Sequence, residues 1–339
     1  MSDAFSPTIS VIMPAFRAAE LLPKVLPPLL KMLEDGEVSE VIVVDDQSPD
    51  NTAELAAEMG AKVLVMPENG GPGAARNFAA EHAIGDVLWL VDSDVIAQPG
   101  GPAAIRAGFA QQRVEAVFGR YDDKPEGSPW YSRYKNLMHR FYHGPVERDA
   151  SSFWAGCGAI TKQTYLRLGG FDVDTYKVPS IEDIEFGNRI YADGGRIRVM
   201  PDLQGKHLKV WTISNGIFTD IFRRALPWSR LMIARSGLSN DLNVGWAERF
   251  RAGIAGLLVI SLLALPFAFQ LWWLTLVLAM IAIGINWTLL RFFVANGGVV
   301  FAAKALSFHQ VYYIYSATAF VWCLFEYHIL GRKNRLHVP

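Results

Sequence analysis

Val87-Leu88-Trp89-Leu90-Val91-Asp92-Ser93-Asp94 decides how this chain is read. An apolar run, β-branched and aromatic, follows Gly85-Asp86 and stops at two carboxylates. That is the pattern of a buried strand running into a polar turn. Side chains at i and i+2 of an extended segment point the same way, so Asp92 and Asp94 share a side. Isolated carboxylates are costly at the edge of a core, and a bound divalent cation compensates them. Oxygen ligands of this kind suit Mg2+ or Mn2+, which keep some waters and also bind substrate phosphates. A solvated turn with a helix cap has the same three letters, so the neighbouring segments decide.

Upstream, apolar strands alternate with helical patterns. Ile9 to Met13, Val41 to Val44 and Lys62 to Val65 read as strands, and Glu20 to Leu33, Asn51 to Met59 and Gly73 to Ala83 as helices. This alternation predicts an α/β fold with a parallel sheet covered on both faces. Ligands of such sheets bind beyond the carboxyl ends of the strands. Those ends carry Pro14-Ala15-Phe16-Arg17, Asp45-Asp46-Gln47-Ser48 and Asp92-Ser93-Asp94, and the third strand leads to Asn69-Gly70-Gly71-Pro72-Gly73. The glycine segment is neither the dinucleotide fingerprint nor a Walker A loop. Its glycines allow close backbone approach, and the helix opening near Gly73 offers free N–H groups to phosphate. Arg76, one turn in, adds positive charge or is an ordinary surface arginine.

Taken in order, Val41 to Asp50, Asn69 to Asn77, Asp92-Ser93-Asp94 and Ile181-Glu182-Asp183 resemble the motifs of family-2 glycosyltransferases with the GT-A (Rossmann-like) fold. The resemblance covers roughly residues 7–212. It implies inverting transfer of a sugar from a nucleoside-diphosphate sugar. It assigns Asp46 to the nucleotide base, although an Asx turn would also use an aspartate there. It makes Asp92 and Asp94 metal ligands on the diphosphate, with His207 as a further ligand or phosphate contact. Pro14, Ala15, Phe16, Gly73, Arg76, Ser93 and Lys209 fall in the donor-binding group. Asp183 becomes the general base. Its structural alternative is a helix start, since Ser180-x-x-Asp183 has capping-box spacing and acids favour a first turn. Gly156, Glu182 and Trp211 are expected near the acceptor, and Trp211 is equally well read as core.

The rest of the chain has a different composition. Ala252 to Leu290 carries no charged side chain. As one helix it would run roughly 58 Å, about twice a bilayer's hydrocarbon core, so two spans joined near Pro266 to Gln270 are expected. Ala305 to Phe325 is a third apolar run containing His309 and Gln310, preceded by a turn at Asn296-Gly297-Gly298. It is read as a span, a re-entrant segment or a buried helix. Ile217 to Arg235 mixes aromatic residues with Arg223, Arg224, Arg230 and Arg235, the pattern of an interfacial helix split by Pro227. The basic residues before the first span place the N-terminal part in the cytoplasm. Two spans plus a re-entrant segment would keep Arg332, Lys333 and Arg335 inside, and three spans would not.

These readings combine into a multi-pass protein of the cell inner membrane. Residues 7–212 form the catalytic domain, 213–249 an interfacial amphipathic region, and 250–330 a membrane domain of two to three hydrophobic segments. Met1 to Thr8 lacks the apolar core of a signal peptide. Cys157 and Cys323 have no metal-site spacing, and a net charge of −1 gives no footprint for nucleic acid. The expected partners are a nucleoside-diphosphate sugar, a lipid or lipid-linked hydroxyl acceptor and the membrane, with a homo-oligomer left open. A polyprenyl-phosphate glycosyltransferase is the near alternative, because a phosphate acceptor needs no general base. A catalytically inactive sugar-nucleotide-binding subunit is the alternative from another class. A processive synthase would carry a Gln-x-x-Arg-Trp pattern, which the sequence lacks.

Overall fold

The computed structural model describes residues 6–125, 129–235 and 242–332. Lys333 and Arg335, and the start of the N-terminal stretch read above, lie outside the described residues. The chain divides into two compact units: 6–125 with 143–210, and 129–142 with 211–235 and 242–332.

The first unit begins with strands β1 (Ile9–Ala15), β2 (Glu40–Asp45), β3 (Lys62–Val65) and β4 (Val87–Val91). Between them run helices α1 (Leu22–Glu34), α2 (Thr52–Glu58) and α3 (Gly71–His82). A short β5 (Val95–Ala97), α4 (Gly101–Phe109) and β6 (Val114–Tyr121) follow. Helix α5 (Trp130–His143) belongs almost wholly to the second unit. The first unit resumes with β7 (Arg148–Ala150), β8 (Cys157–Thr161), α6 (Lys162–Arg167), α7 (Glu182–Ala192) and β9 (Arg196–His207).

The sheet order is β3-β2-β1-β4-β8-β6-β9-β5, with β7 also on β9. Strands β3, β2, β1 and β4 are mutually parallel, as the alternation predicts. Antiparallel β8 then joins β4 to β6. Period-two geometry sends Val11, Met13, Val41, Val43 and Trp89 to one face and Ile12, Ile42, Val44, Leu88 and Leu90 to the other. Both faces are therefore covered, and the strands read as continuous apolar runs. Each such side chain stabilises by about 1.5–3 kcal/mol relative to exposure. A Cβ on Gly101 would lie 2.6 Å from the Trp89 ring, so the absence of a side chain there lets α4 start against the sheet.

The second unit is helical. Helix α8 (Ile213–Phe218) passes through a π-helical turn, Thr219–Ala225, into α9 (Leu226–Ala234). Pro227 stands in the first turn of α9, where its missing N–H costs nothing, and the widened turn precedes it. Trp228, Leu231 and Met232 are buried, whereas Phe218 and Phe222 are exposed. The segment is thus partly a packed helix, and only its first part keeps the aromatic-basic surface. Helices α10 (Trp246–Ala264), α11 (Trp272–Ile285) and α12 (Trp287–His328) complete the unit. The chain breaks between α10 and α11 around Pro266, and α12 kinks where Gly298 takes φ +77°.

Helix lengths correct the membrane reading. Among the described residues only α12 is long and apolar enough to cross a membrane. The uncharged part of α10 and the whole of α11 are each about 20 Å long, against a hydrocarbon core of about 30 Å. Two complete spans within Ala252 to Leu290, and with them a multi-pass topology, are not supported. His309, Tyr312 and Tyr313 of the third run are buried in the second unit's core. Cys157 and Cys323 are free and buried.

Candidate active site

The carboxyl ends of β1, β2 and β4 hold most of the expected residues. Pro14 and Ala15 finish β1 inside the sheet, and Phe16 beyond them is exposed. Arg17 adopts φ +53° and lays its guanidinium over the Phe16 ring at 5.3 Å. The pair leaves an aromatic face open at the strand end.

Asp46 has a structural task. Its two carboxylate oxygens accept the backbone N–H groups of Gly70 and Gly71, each at 2.8 Å. Asn69 donates to the Asp46 carbonyl at 2.7 Å. Gly71 takes φ +81°, a conformation that favours glycine. Asp46 is 3% exposed. It therefore anchors the glycine loop at the start of α3, and each oxygen keeps a lone pair for a ligand N–H.

Helix α3 carries Arg76 inward. Its guanidinium is 4% exposed, paired with Asp92, and stands 5.7 Å from the Phe171 ring. Burial opposes its charge, and the carboxylates of Asp92, Glu182 and Asp183 more than restore it. The Arg76 Nε–H has no acceptor among the described residues. A buried cation with an unused donor suits an anionic ligand. Arg76 is a buried, paired residue, not a surface arginine.

Beyond β4 the chain turns through Ser93, with the Val95 N–H donating to the Asp92 carbonyl at 3.0 Å. Strand β5 then runs antiparallel to β9 with Val95 opposite His207. The Leu208 N–H donates to the Asp94 carbonyl at 2.8 Å. This register sets His207 Nε2 3.4 Å from Asp94 Oδ2. Tyr121 stacks on the His207 ring, with centroids 4.4 Å apart and planes 4° from parallel. Burial pushes the Asp92 carboxyl above the usual range, Arg76 pulls it back, and Asp94 adds to the rise. Burial works against Asp94 too, but the hydrogen bond and charge of His207, with Lys209 nearby, hold it below the usual range. Lys209 itself is exposed.

Among the described residues no three His, Cys, Asp or Glu side chains form a ready cage for a metal. The donor set nonetheless fits Mg2+ or Mn2+. Asp94 and His207 sit side by side, Asp92 is adjacent but held by Arg76, and such ions are commonly bound by one or two carboxylates with substrate phosphates completing the shell.

Glu182 and Asp183 open α7. The Ser180 N–H donates to Glu182 Oε2 at 2.7 Å. Asp183 Oδ2 accepts the Ala155 N–H at 3.1 Å, and Oδ1 accepts from Ile184 at 2.8 Å. Burial, then the charge of Asp183, pushes Glu182 up to about 7. A Cβ on Gly73 would lie 4.0 Å from Glu182 Cγ, so the α3 and α7 starts face each other. Gly156 is required locally, since a Cβ there would meet the Trp154 ring at 2.7 Å. Its carbonyl accepts the Asp92 N–H at 3.4 Å.

Trp211 is a core residue of the second unit. It is buried, its N–H donates to Ser132 Oγ at 3.1 Å, and Lys135 Nζ lies 5.5 Å over its ring. Sequence reasoning missed Tyr121 and Phe171, which pack against His207 and Arg76. Only the β5–β9 register and the folded loop reveal them.

A buried arginine, an acid–histidine pair and a carboxylate pair thus lie at the carboxyl edge of a half-parallel sheet of the GT-A kind. Residues 10–169 match the family described as Glycosyl transferase family 2. A 4,4'-diaponeurosporenoate glycosyltransferase of Staphylococcus haemolyticus is 41% identical over 140 residues, 39% of this chain and 34% of that protein. An uncharacterized protein of Mycobacterium tuberculosis is 27% identical over 202 residues, 54% of this chain and 62% of that one. The chain thus spans less than two thirds of either relative. A mannosyltransferase of Pyrobaculum calidifontis, solved with GDP-Man and Mn2+, shares the fold at TM-score 0.55 and 18% identity, covering 94% of this chain and 88% of that one.

Proposed function

We propose that the protein is a metal-dependent inverting glycosyltransferase that moves a sugar from a nucleoside-diphosphate sugar to a hydroxyl of a lipid or lipid-linked acceptor at the cytoplasmic face of the membrane. The observation that carries the reading is the convergence of Arg76–Asp92, Asp94–His207 and Glu182–Asp183 at one sheet edge. Arg76 and the N–H groups opening α3 receive the diphosphate, with Gly73 allowing close approach. Phe16 and Asp46 border the nucleotide. Asp94 and His207, with Asp92 behind them, would hold Mg2+ or Mn2+, which would neutralise charge on the departing diphosphate. Asp183 takes the proton of the acceptor hydroxyl as its oxygen bonds the anomeric carbon, while the carbon–phosphate oxygen bond breaks and the diphosphate leaves with the electron pair. Positioned proton transfer of this kind contributes about 10²–10⁴ in rate. The basic residues of the second unit and its apolar helices support membrane attachment on the cytoplasmic side.

The test is transfer from radiolabelled UDP-, GDP- and CDP-sugars into a lipid extract by the detergent-purified full chain. One donor should give labelled lipid with Mn2+ or Mg2+, EDTA should abolish transfer, and Asp94→Asn should lose it. Full activity of Asp94→Asn in EDTA removes the metal assignment. Donor binding without turnover would make the protein a binding subunit instead.

A further inference from the structure

The helices α10 and α11 form a hairpin whose depth can be read from its base. Arg251 Nε donates to the Ile285 carbonyl at 3.1 Å. The Tyr313 hydroxyl donates to Glu248 Oε2 at 2.8 Å, with Asn286 Oδ1 also within reach at 3.1 Å. These polar groups tie the foot of α10 to the end of α11 at one level. Above that level neither helix carries a charge. Each rises only about 20 Å, short of the roughly 30 Å that a span requires, although stretches of about 10–14 apolar residues do serve as re-entrant or core segments.

A core segment would be covered, and this one is open. Phe267 is 91% exposed, Phe269 72% and Leu263 69%. Trp272 and Trp273 next to them are half exposed. So large an uncharged apolar surface on a soluble molecule marks an interaction site. The occupant that matches a surface whose few polar side chains are Ser261, Gln270, Thr275 and the indoles of Trp272 and Trp273, and whose foot carries Arg249, Arg291 and the Arg251–Glu248 pair, is an acyl layer beneath anionic head groups.

We propose that the α10–α11 hairpin is a re-entrant membrane anchor that enters and leaves the bilayer through one leaflet. This rests on the membrane attachment proposed above and adds its topology. The Leu265 to Leu271 tip stays within the hydrocarbon and does not reach the far side.

Single cysteines at Phe267 and Gln270, in the full chain reconstituted into sealed vesicles of each orientation, distinguish the topologies. The parent chain, whose cysteines are buried, is the blank. A membrane-impermeant maleimide should label either tip cysteine at less than about a tenth of its level in SDS, from both sides, while a Glu34→Cys control labels from the side of the first unit. Labelling of the tip from the opposite side means the hairpin crosses, and labelling from the Glu34 side means it lies outside the lipid. Either result overturns the proposal. The readout contains no sugar transfer, so failure of the catalytic reading leaves it untouched.

Discussion

Both units bury ions, and they do so to opposite ends. In the first unit Arg76 pairs with Asp92 yet keeps an unpartnered Nε–H, and Asp94 meets His207 at a loose 3.4 Å. In the second unit Lys135 and Asp220 close to 2.5 Å at 3% and 4% side-chain exposure, with Tyr315 donating to the same carboxylate at 2.7 Å. Arg230–Glu326 and Arg251–Glu248 add further pairs there. A buried charge with spare bonding capacity is a ligand site in waiting, whereas one whose partners are saturated holds helices in register. The comparison teaches that burial alone does not mark function. Unspent hydrogen-bonding capacity at a sheet edge does.

The comparison breaks most visibly at Asp183. Asparagine there keeps one acceptor oxygen for the Ala155 or the Ile184 N–H and loses the other bond, so Asp183→Asn should stay folded with a small loss in Tm and bind donor normally. Turnover should fall by roughly 10²–10⁴, because an amide cannot take a proton. Near-wild-type turnover would return Asp183 to a purely structural place and favour a phosphate acceptor.

Lys135 tests the other side. Lys135→Met strands Asp220 inside the helical unit and should cost about 3–5 kcal/mol in denaturant unfolding of the detergent-solubilised protein. Adding Asp220→Asn should recover most of that loss. Equal losses in the single and double variants would mean that the pair does not act as a unit. Arg76→Met should act on ligand instead, weakening donor binding by about 1.5–3 kcal/mol, roughly 10–150-fold, with acceptor KM unchanged. Isothermal titration with the donor measures it, and an unchanged affinity would return Arg76 to a structural ion pair.

The parallel half of the sheet was legible because β1 to β4 are continuous apolar runs separated by helical periodicity. Asp92 and Asp94 were legible because such a run ends on them. The partnership of Asp94 with His207 was legible only through the family resemblance, because its geometry depends on β5, a three-residue strand that reads as part of a turn, and on its register with the end of β9. Asp46 points to a ligand in sequence, and only the folded glycine loop reveals the two N–H groups it already serves. Helix α5 was the hardest to place. Its Tyr131, Tyr134 and Leu137 face partners from α12 in the second unit's core, more than 150 residues away in the chain. Contacts of that separation leave no local trace, so a cut near residue 212 would leave α5 without its core.

The smallest expected effect separates the two units by pH. Glu182 faces Asp183 and Arg76 and accepts the Ser180 N–H, and burial with the Asp183 charge raises it from its ordinary value to about 7. A carboxyl raised in the folded state binds a proton that the unfolded chain has released. Its stabilising contribution is fully present below the unfolded value, near 4.5, and is lost as pH rises through about 7. The apparent Tm of the first unit should therefore fall by a few degrees between pH 5 and pH 8. Glu182→Gln copies the protonated form and can still accept from Ser180. It should flatten that slope and melt above the wild type at pH 8, with the two proteins alike at pH 5. Carboxyls held low, such as Asp94 and Glu40, act in the opposite sense and at lower pH, so the difference between variant and wild type isolates Glu182. A slope that survives in Glu182→Gln would place the titrating group elsewhere and make the α7 start an ordinary acidic helix terminus.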